Sequence, residues 1–238
     1  MRGATIPFAL DSETSAGLHA LSKRHITTLY TVMLAAMQVL LFEFSGESDI
    51  VIGTPVSLRS RPEWLDVIGY FINMLPMRTA VREDQPFSTH LGRARDTVLA
   101  ALEHQEFPFP LLVDRLKLHR DSNRGPIFQA MLNVVASTRE RELASLYTAS
   151  GRDALPFGDT TFTSYLIPQQ EDQFEIVIEM TEVDGVLHGN LKYQSDLYTH
   201  ETARAMTASF VSILEAIVRT PDIHIAELTR LDRDTFEL

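Results

Sequence analysis

IGYFINMLPMR, at residues 68–78, is the stretch from which the fold of this 238-residue chain is predicted. Two later strings share its character: HQEFPF at residues 104–109 and RDSNRGPIFQ at residues 120–129. Each combines bulky apolar side chains with a few polar ones that core packing does not require. A polar group inside an apolar segment must find hydrogen-bond partners. The three strings therefore predict a functional site as well as a core.

Hydrophobic periodicity around these strings predicts a mixture of helices and strands. The predicted helices span residues 12–25, 29–44, 87–104, 111–116 and 199–219. The predicted strands span residues 49–56, 72–81, 127–135, 160–167, 175–182 and 186–194. Asp184 and Gly185 form a tight turn between the last two strands, and residues 136–159 are expected to be a long loop with one helical turn. Strands mixed with covering helices predict one layered α/β (α+β) domain, with a mixed sheet, over residues 1–238.

Composition excludes several classes of protein. The formal net charge is −11, whereas a nucleic-acid-binding protein needs a basic surface. There is no cysteine, hence no disulfide or thiolate metal site. The N-terminus lacks the pattern of a signal peptide. The longest apolar stretch, residues 29–44, is too short to span a bilayer, so we expect a cytoplasmic protein without membrane contact.

Chemical motifs are few. No glycine-rich phosphate loop or Gly-x-Ser-x-Gly elbow is present, and no histidine has a metal-binding neighbour arrangement. We therefore assign no catalytic residue and no metal ligand. The only concentrated basic stretch holds Arg115, Lys117, Arg120 and Arg124. It is either a solvated turn or a small anion site.

Glycines and aromatic residues in the strings have simple structural interpretations. Gly53 is expected at a position where a side chain does not fit. Phe107, Phe109 and Phe128 are expected in the core. Asn73 and Arg78 either make structural hydrogen bonds or line a ligand channel.

The three strings, in this order, resemble the last three signature motifs of the condensation domains of nonribosomal peptide synthetases. DIVIGTPV at residues 49–56, followed by Arg59, and YQSDLY at residues 193–198 extend the resemblance. It covers residues 3–231. It implies a fold similar to chloramphenicol acetyltransferase, in which two lobes form a V with a tunnel between them.

The resemblance also implies a chemistry. Carrier domains deliver thioesters of phosphopantetheine to the two tunnel mouths, and the amine of one substrate attacks the thioester of the other without metal or nucleotide. The family's catalytic His-His-x-x-x-Asp-Gly motif ends the N-terminal lobe. No histidine of this chain has an aspartate four residues later. We therefore expect a C-terminal lobe, without the N-terminal lobe, that binds no cofactor itself and is inactive alone.

Site residues follow from the same resemblance. Asn73, Arg78 and Gln105 are candidates for the tunnel wall. Arg120, Asp121 and Arg124 are candidates for contact with the carrier or its phosphopantetheine, and pairing among themselves is the alternative. The expected partners are the N-terminal lobe, peptidyl or acyl carrier domains and adjacent synthetase modules. Two alternative functions stay open: a non-catalytic module that binds a carrier or another partner, and a complete small acyltransferase.

Overall fold

The computed structural model describes residues 2–59, 61–117, 125–135, 154–163 and 173–229. Eight strands are present in these ranges: β1 Gly3–Ala9, β2 Asp49–Ser57, β3 Ile72–Ala80, β4 Ala130–Val135, β5 Ala154–Phe157, β6 Thr160–Thr163, β7 Ile176–Val183 and β8 Val186–Gln194. The helices are α1 Ser12–Arg24, α2 Leu29–Ser45, α3 Phe87–Glu103, α4 Phe109–Leu116, α5 His200–Arg219 and α6 Ile225–Leu228, with a 3₁₀ turn at Pro62–Trp64.

Six strands form one mixed sheet in the order β1-β8-β7-β4-β2-β3. Strands β2, β4 and β7 run parallel, while β3, β8 and β1 add antiparallel pairs at the two sides. The edge strands β1 and β3 contain Pro7 and Pro76, and proline is tolerated at sheet edges because it cannot donate to a ladder. The predicted class, a mixed sheet covered by helices, is confirmed.

The helices bury one face of this sheet. Alternate residues of the central strands, among them Ile52, Leu132, Ile178 and Leu191, join one core with the inner faces of the helices. Helix α2 is apolar nearly all round and is buried from Thr31 to Leu40, as expected of a helix that lies between other elements. The opposite sheet face carries the intervening residues of each strand.

Local capping signals confirm the predicted element ends. The side chain of Thr28 accepts a hydrogen bond from the backbone N–H of Thr31 at the start of α2, and Gly46 ends that helix at φ +71°. Thr199 caps α5 in the same manner. Asp184 and Gly185 have φ values of +52° and +80°, which are the two left-handed residues of the predicted hairpin turn.

The structure differs from the predicted elements at β1, β5 and the start of β4, and the short helix α6 was also not predicted. β1 was not predicted, because its residues include Gly3 and Pro7 and its pairing depends on β8, far along the chain. β5 lies inside the predicted loop 136–159, where Gly158 at φ +57° makes a two-residue turn to β6. β4 begins at Ala130 rather than at Ile127, since Ile127 has φ +73° and cannot be extended. The rest of that loop, and the end of the predicted strand 160–167, lie outside the described residues.

Candidate functional site

Asn73 joins the first string to the second. It lies on edge strand β3 and is only 7% exposed. Its Nδ2 donates to the backbone carbonyls of Gln105 at 2.9 Å and Phe107 at 2.8 Å. Its Oδ1 accepts from the backbone N–H of Phe109 at 3.0 Å. One amide side chain therefore fixes the loop between α3 and α4, and all three bonds are made within the protein.

The aromatic ring of Phe128 joins the third string to the second. Its centroid lies 5.4 Å from that of Phe109 and 5.6 Å from that of Phe174, with the latter pair stacked at 24°. Phe128 is 2% exposed and covers Gly53, where an added Cβ would come within 2.0 Å of the ring. This confirms that Gly53 stands where no side chain fits. We call Gly53, Asn73, Phe109, Phe128 and Phe174 the motif junction.

The backbone next to Phe128 is strained. Ile127 has φ +73°, a left-handed conformation that is unfavourable for a β-branched residue. The turn before it is closed by the Phe128 N–H, which donates to Pro126 O at 2.9 Å, and by Gln129 Nε2, which donates to Gly125 O at 3.0 Å. Strain of this kind persists only where the surroundings enforce it. The packing of the motif junction therefore holds this turn in place.

A cleft of about 300 Å³ opens beside Ile127, where the parallel strands β2, β4 and β7 begin. Its apolar lining comes from Leu41, Ile50, Val51, Ile127, Ala130 and Ile176, and its polar lining from Ser45, Glu47, Asp49, Gln129, Glu175 and Tyr198. Tyr198 Oη donates to Glu175 Oε2 at 3.2 Å, which joins the YQSDLY string to the start of β7. The lining thus includes three carboxylates, those of Glu47, Asp49 and Glu175.

Arg78 stands at the opposite end of β3 from Asn73. Its Nε donates to both carboxylate oxygens of Asp49, at 2.9 and 3.2 Å, and its Nη2 to Oδ2 at 2.7 Å. The hydrogen bonds from Arg78 lower the pKa of Asp49. The Arg78 side chain is 71% exposed. This pair borders the cleft, since Asp49 lines it.

Comparison with known proteins identifies the family. A family model described as "Condensation domain" matches residues 1–237. The chain belongs to the condensation domain family of nonribosomal peptide synthetases. Bacitracin synthase 3 of Bacillus licheniformis is 32% identical over 234 residues, which are 98% of this chain and 4% of that protein. The family predicted from the five strings is confirmed.

Solved structures agree with this condensation fold. A holo four-domain nonribosomal peptide synthetase bound to AMP and glycine superposes with a TM-score of 0.89 at 28% identity, covering 95% of this chain and 17% of that one. The condensation domain from the monacolin K polyketide synthase MokA gives a TM-score of 0.78 at 24% identity, with 94% and 49% covered. The X-domain in complex with OxyB from teicoplanin biosynthesis gives 0.77 at 25% identity, with 95% and 48% covered. The chain thus spans about half of the two latter chains.

The predicted tunnel residues divide into two places in this condensation domain. Asn73 and Gln105 meet, through the bond from Asn73 Nδ2 to Gln105 O. Arg78 is five residues further along β3, about 17 Å away at the usual rise of a strand. Their role at a tunnel stays a prediction. Arg120, Asp121 and Arg124, predicted to contact the carrier, lie outside the described residues.

Phe107 is not part of the core, contrary to the prediction, and Phe109, also predicted there, is only partly buried. It is 40% exposed, and the guanidinium of Arg115 lies 5.8 Å from its ring centroid. Its backbone carbonyl nevertheless accepts a hydrogen bond from Asn73. Ile72, Leu111 and Leu116 are also about half exposed, and we call these three residues together with Phe107 the apolar strip.

A contact between two hydroxyl groups, on the face of the sheet that the helices cover, was not predicted. Tyr30 of α2 and Thr54 of β2 join their hydroxyls at 2.5 Å, and Thr54 Oγ1 donates to Leu132 O at 3.1 Å. Burial raises the pKa of Tyr30 to about 12. The one available signal was a threonine at an inward position of an apolar strand. In the described ranges, no group of three or more His, Asp or Glu could hold a metal ion.

Within the described residues, no single helix is long and apolar enough to cross a membrane. Only α1 and α2 taken together reach that length and hydropathy, and they are bent by 104° at the break between them. Most of α2 is buried in the core.

Proposed function

We propose that this chain acts as the C-terminal lobe of a condensation domain and takes part in amide formation only together with an N-terminal lobe. The observation that carries the proposal is the length of the match: 94% of this chain corresponds to 49% of a solved condensation domain chain. The motif junction supports it, because residues from four of the strings that resemble family motifs are in direct contact there. Membership of residues 1–238 in one lobe is part of the proposal.

The reaction divides between the two lobes. The amine nitrogen of an aminoacyl thioester attacks the carbonyl carbon of an acyl thioester. The C–S bond breaks and releases a pantetheine thiolate, which takes up the amine proton and becomes a thiol. A positioned base or hydrogen-bonding group assists such a proton transfer. No histidine of this chain has an aspartate four residues later, which supports the assignment of that group to the N-terminal lobe. Phosphopantetheine enters as part of the carrier-bound substrates.

This lobe supplies tunnel wall and carrier contacts. The amide group of Asn73 is engaged at both its nitrogen and its oxygen, so its part is to hold the loop of Gln105. Arg78 is exposed and uses Nε and Nη2 on Asp49, which leaves donors on Nη1 for a substrate. Arg120, Asp121 and Arg124 remain the candidates for contact with the carrier or its phosphopantetheine. The expected partners are the N-terminal lobe, two carrier domains and adjacent modules, in the cytoplasm.

Reconstitution tests the proposal. The purified chain is mixed with an acyl-loaded and an aminoacyl-loaded carrier domain, with or without a separately expressed N-terminal lobe that contains His-His-x-x-x-Asp-Gly. Amide should form only when both lobes are present. Each lobe alone, and an N-terminal lobe whose second motif histidine is replaced by alanine, are the controls. Amide formation by this chain alone would overturn the proposal and favour a complete small acyltransferase.

A second candidate is a non-catalytic module that binds a protein partner. The favouring observation is the similarity to the X-domain that was solved in complex with OxyB. The apolar strip of Ile72, Phe107, Leu111 and Leu116 offers such a module a contact surface. In the reconstitution, this candidate predicts carrier or partner binding by the chain alone, with no amide when the N-terminal lobe is added.

A further inference from the structure

Arg59 occupies the inside of the loop between β2 and β3, of which the structure describes residues 58–59 and 61–71. Its Nη1 donates to the carbonyls of Trp64 and, at 2.7 Å, Val67, while Nη2 donates to Gly69 O at 3.2 Å. The guanidinium carbon also lies 4.3 Å from the ring centroid of Phe71. Because a guanidinium group is planar and charged, it can donate to several carbonyls and stack on an aromatic ring at the same time.

The same loop is closed without help from the core of the domain. The N–H of Leu58 donates to Phe71 O at 2.7 Å across its base. The rings of Trp64 and Phe71 lie 6.1 Å apart, and Arg61 lies 5.0 Å from the Trp64 ring. None of the residues from 61 to 71 belongs to the buried core. The shape of the loop therefore depends on contacts within the loop.

Large apolar side chains of this loop point to solvent. Ile68 is fully exposed and Tyr70 is 84% exposed, and Leu65 and Val67 are each 45% exposed. Ile72, where β3 begins, continues this surface toward the apolar strip. Exposed apolar residues grouped in this way are typical of an interaction site. The loop leads directly into Asn73 and hence into the motif junction.

We propose that Arg59 is a positioning residue that pre-forms the 61–71 loop so that Ile68 and Tyr70 contact the N-terminal lobe. This inference rests on the proposed function. The N-terminal lobe is the occupant because the solved condensation domain chain that this chain matches is about twice as long as the matched part. A loop held rigid before association loses less conformational freedom on binding than a loop that must be ordered by its partner.

Four variants separate the positioning role from a role in folding. Arg59→Ala removes the three carbonyl contacts and the stack, and Arg59→Lys keeps only the charge. Arg61→Ala is the matched control, since it makes the same charge change in the same loop but removes only the contact with the Trp64 ring. Ile68→Ser and Tyr70→Ser, combined, remove the contact surface without altering the guanidinium network. All variants are expected to keep the unfolding midpoint of the wild-type chain.

Hydrogen exchange of the isolated chain is the first readout. In Arg59→Ala, amides of residues 62–71 should exchange about tenfold faster or more, because their protection depends on local contacts, while the sheet is unchanged. The exchange rates of Arg59→Lys should lie between those of the wild type and Arg59→Ala, and Arg61→Ala should raise the rates less than Arg59→Ala does. Unchanged exchange in the loop, or a general loss of protection throughout the sheet, would overturn the positioning role.

Association with the N-terminal lobe is the second readout. Arg59→Ala and the Ile68/Tyr70 double variant should raise the apparent Kd for that lobe about tenfold, with kcat restored at saturating lobe. Wild-type affinity in either variant would overturn the inference while leaving the proposed function intact. A wild-type chain that binds no N-terminal lobe would instead overturn the proposed function, and this inference with it.

Discussion

The two ends of strand β3 use polar residues in different ways. At its beginning Asn73 is almost completely buried and satisfies two carbonyls and one N–H of another loop. At its end Arg78 binds Asp49 through three short contacts, yet both side chains are more than half exposed. Water can readily replace the contacts of Arg78, whereas those of Asn73 are partly buried. The buried end should therefore determine stability, and the exposed end is available for function.

The largest expected effect follows from removing Asn73. Asn73→Ala leaves two carbonyls and one N–H without their partner in a buried place, which should lower the free energy of unfolding by about 3 kcal/mol. Chemical denaturation measures this loss. Asn73→Asp is the matched variant, because its carboxylate still accepts from Phe109 but cannot donate to Gln105 and Phe107. If Asn73→Asp were as stable as the wild type, the two donated bonds would be unimportant.

A second prediction concerns the ring of Phe128, which covers Gly53 in the motif junction. Gly53→Ala forces the ring of Phe128 away from its place between Phe109 and Phe174, and overpacking of this kind should cost about 1–3 kcal/mol. Combining it with Phe128→Leu should recover part of that loss, since the smaller side chain leaves room. Denaturation of both single variants and the double variant gives the coupling. If the losses in unfolding free energy of the two single variants simply added in the double variant, the new methyl group at position 53 and the Phe128 ring would not clash.

A third prediction concerns the pH dependence of stability, which a buried histidine should determine. Burial, followed by the charge of Arg93, lowers the pKa of His90 to about 4, and the backbone of Ala35 opposes this shift. Because the unfolded chain takes up a proton near pH 6.5 and the folded chain does not, stability is lost as the pH falls below that value. Between pH 7 and pH 5 this loss should be about 2 kcal/mol.

The variant His90→Leu tests that prediction, since it removes the titrating group from a core position. Denaturation at both pH values should show a smaller loss in the variant than in the wild type. A proton NMR titration of the His90 ring in the folded chain gives its pKa directly. A ring that titrates near pH 6.5 in the folded chain would contradict the prediction.

Local signals predicted much of the fold, whereas distant partners could not be predicted. The apolar run of α2, its cap at Thr28 and the turn at Asp184 act within a few residues, and all three were predicted. β1 was missed because its partner β8 is supplied by the other end of the chain. For the same reason the sequence showed that Asn73 needs partners but not that Phe107 and Phe109 provide them.

The smallest expected effect belongs to the exposed end of β3. Arg78→Gln should leave the unfolding midpoint unchanged within error, because exposed ion pairs are screened by water and salt. Asp49 has a lowered pKa in the folded chain, so any stabilisation by the pair is present above about pH 4, the value of an unperturbed aspartate, and disappears as the pH falls through the lower, folded value.

The absence of an effect on stability makes Arg78 the sharpest test of the contrast between the two ends. Arg95→Gln is the matched control, since Arg95 also pairs with an exposed aspartate, Asp96, at 3.0 Å. In the two-lobe reconstitution, Arg78→Gln should slow amide formation at unchanged stability, and Arg95→Gln should not. Equal activity in both variants would mean that Arg78 has no part in the reaction. A fall in the unfolding midpoint of Arg78→Gln would mean instead that the exposed end contributes to stability as the buried end does.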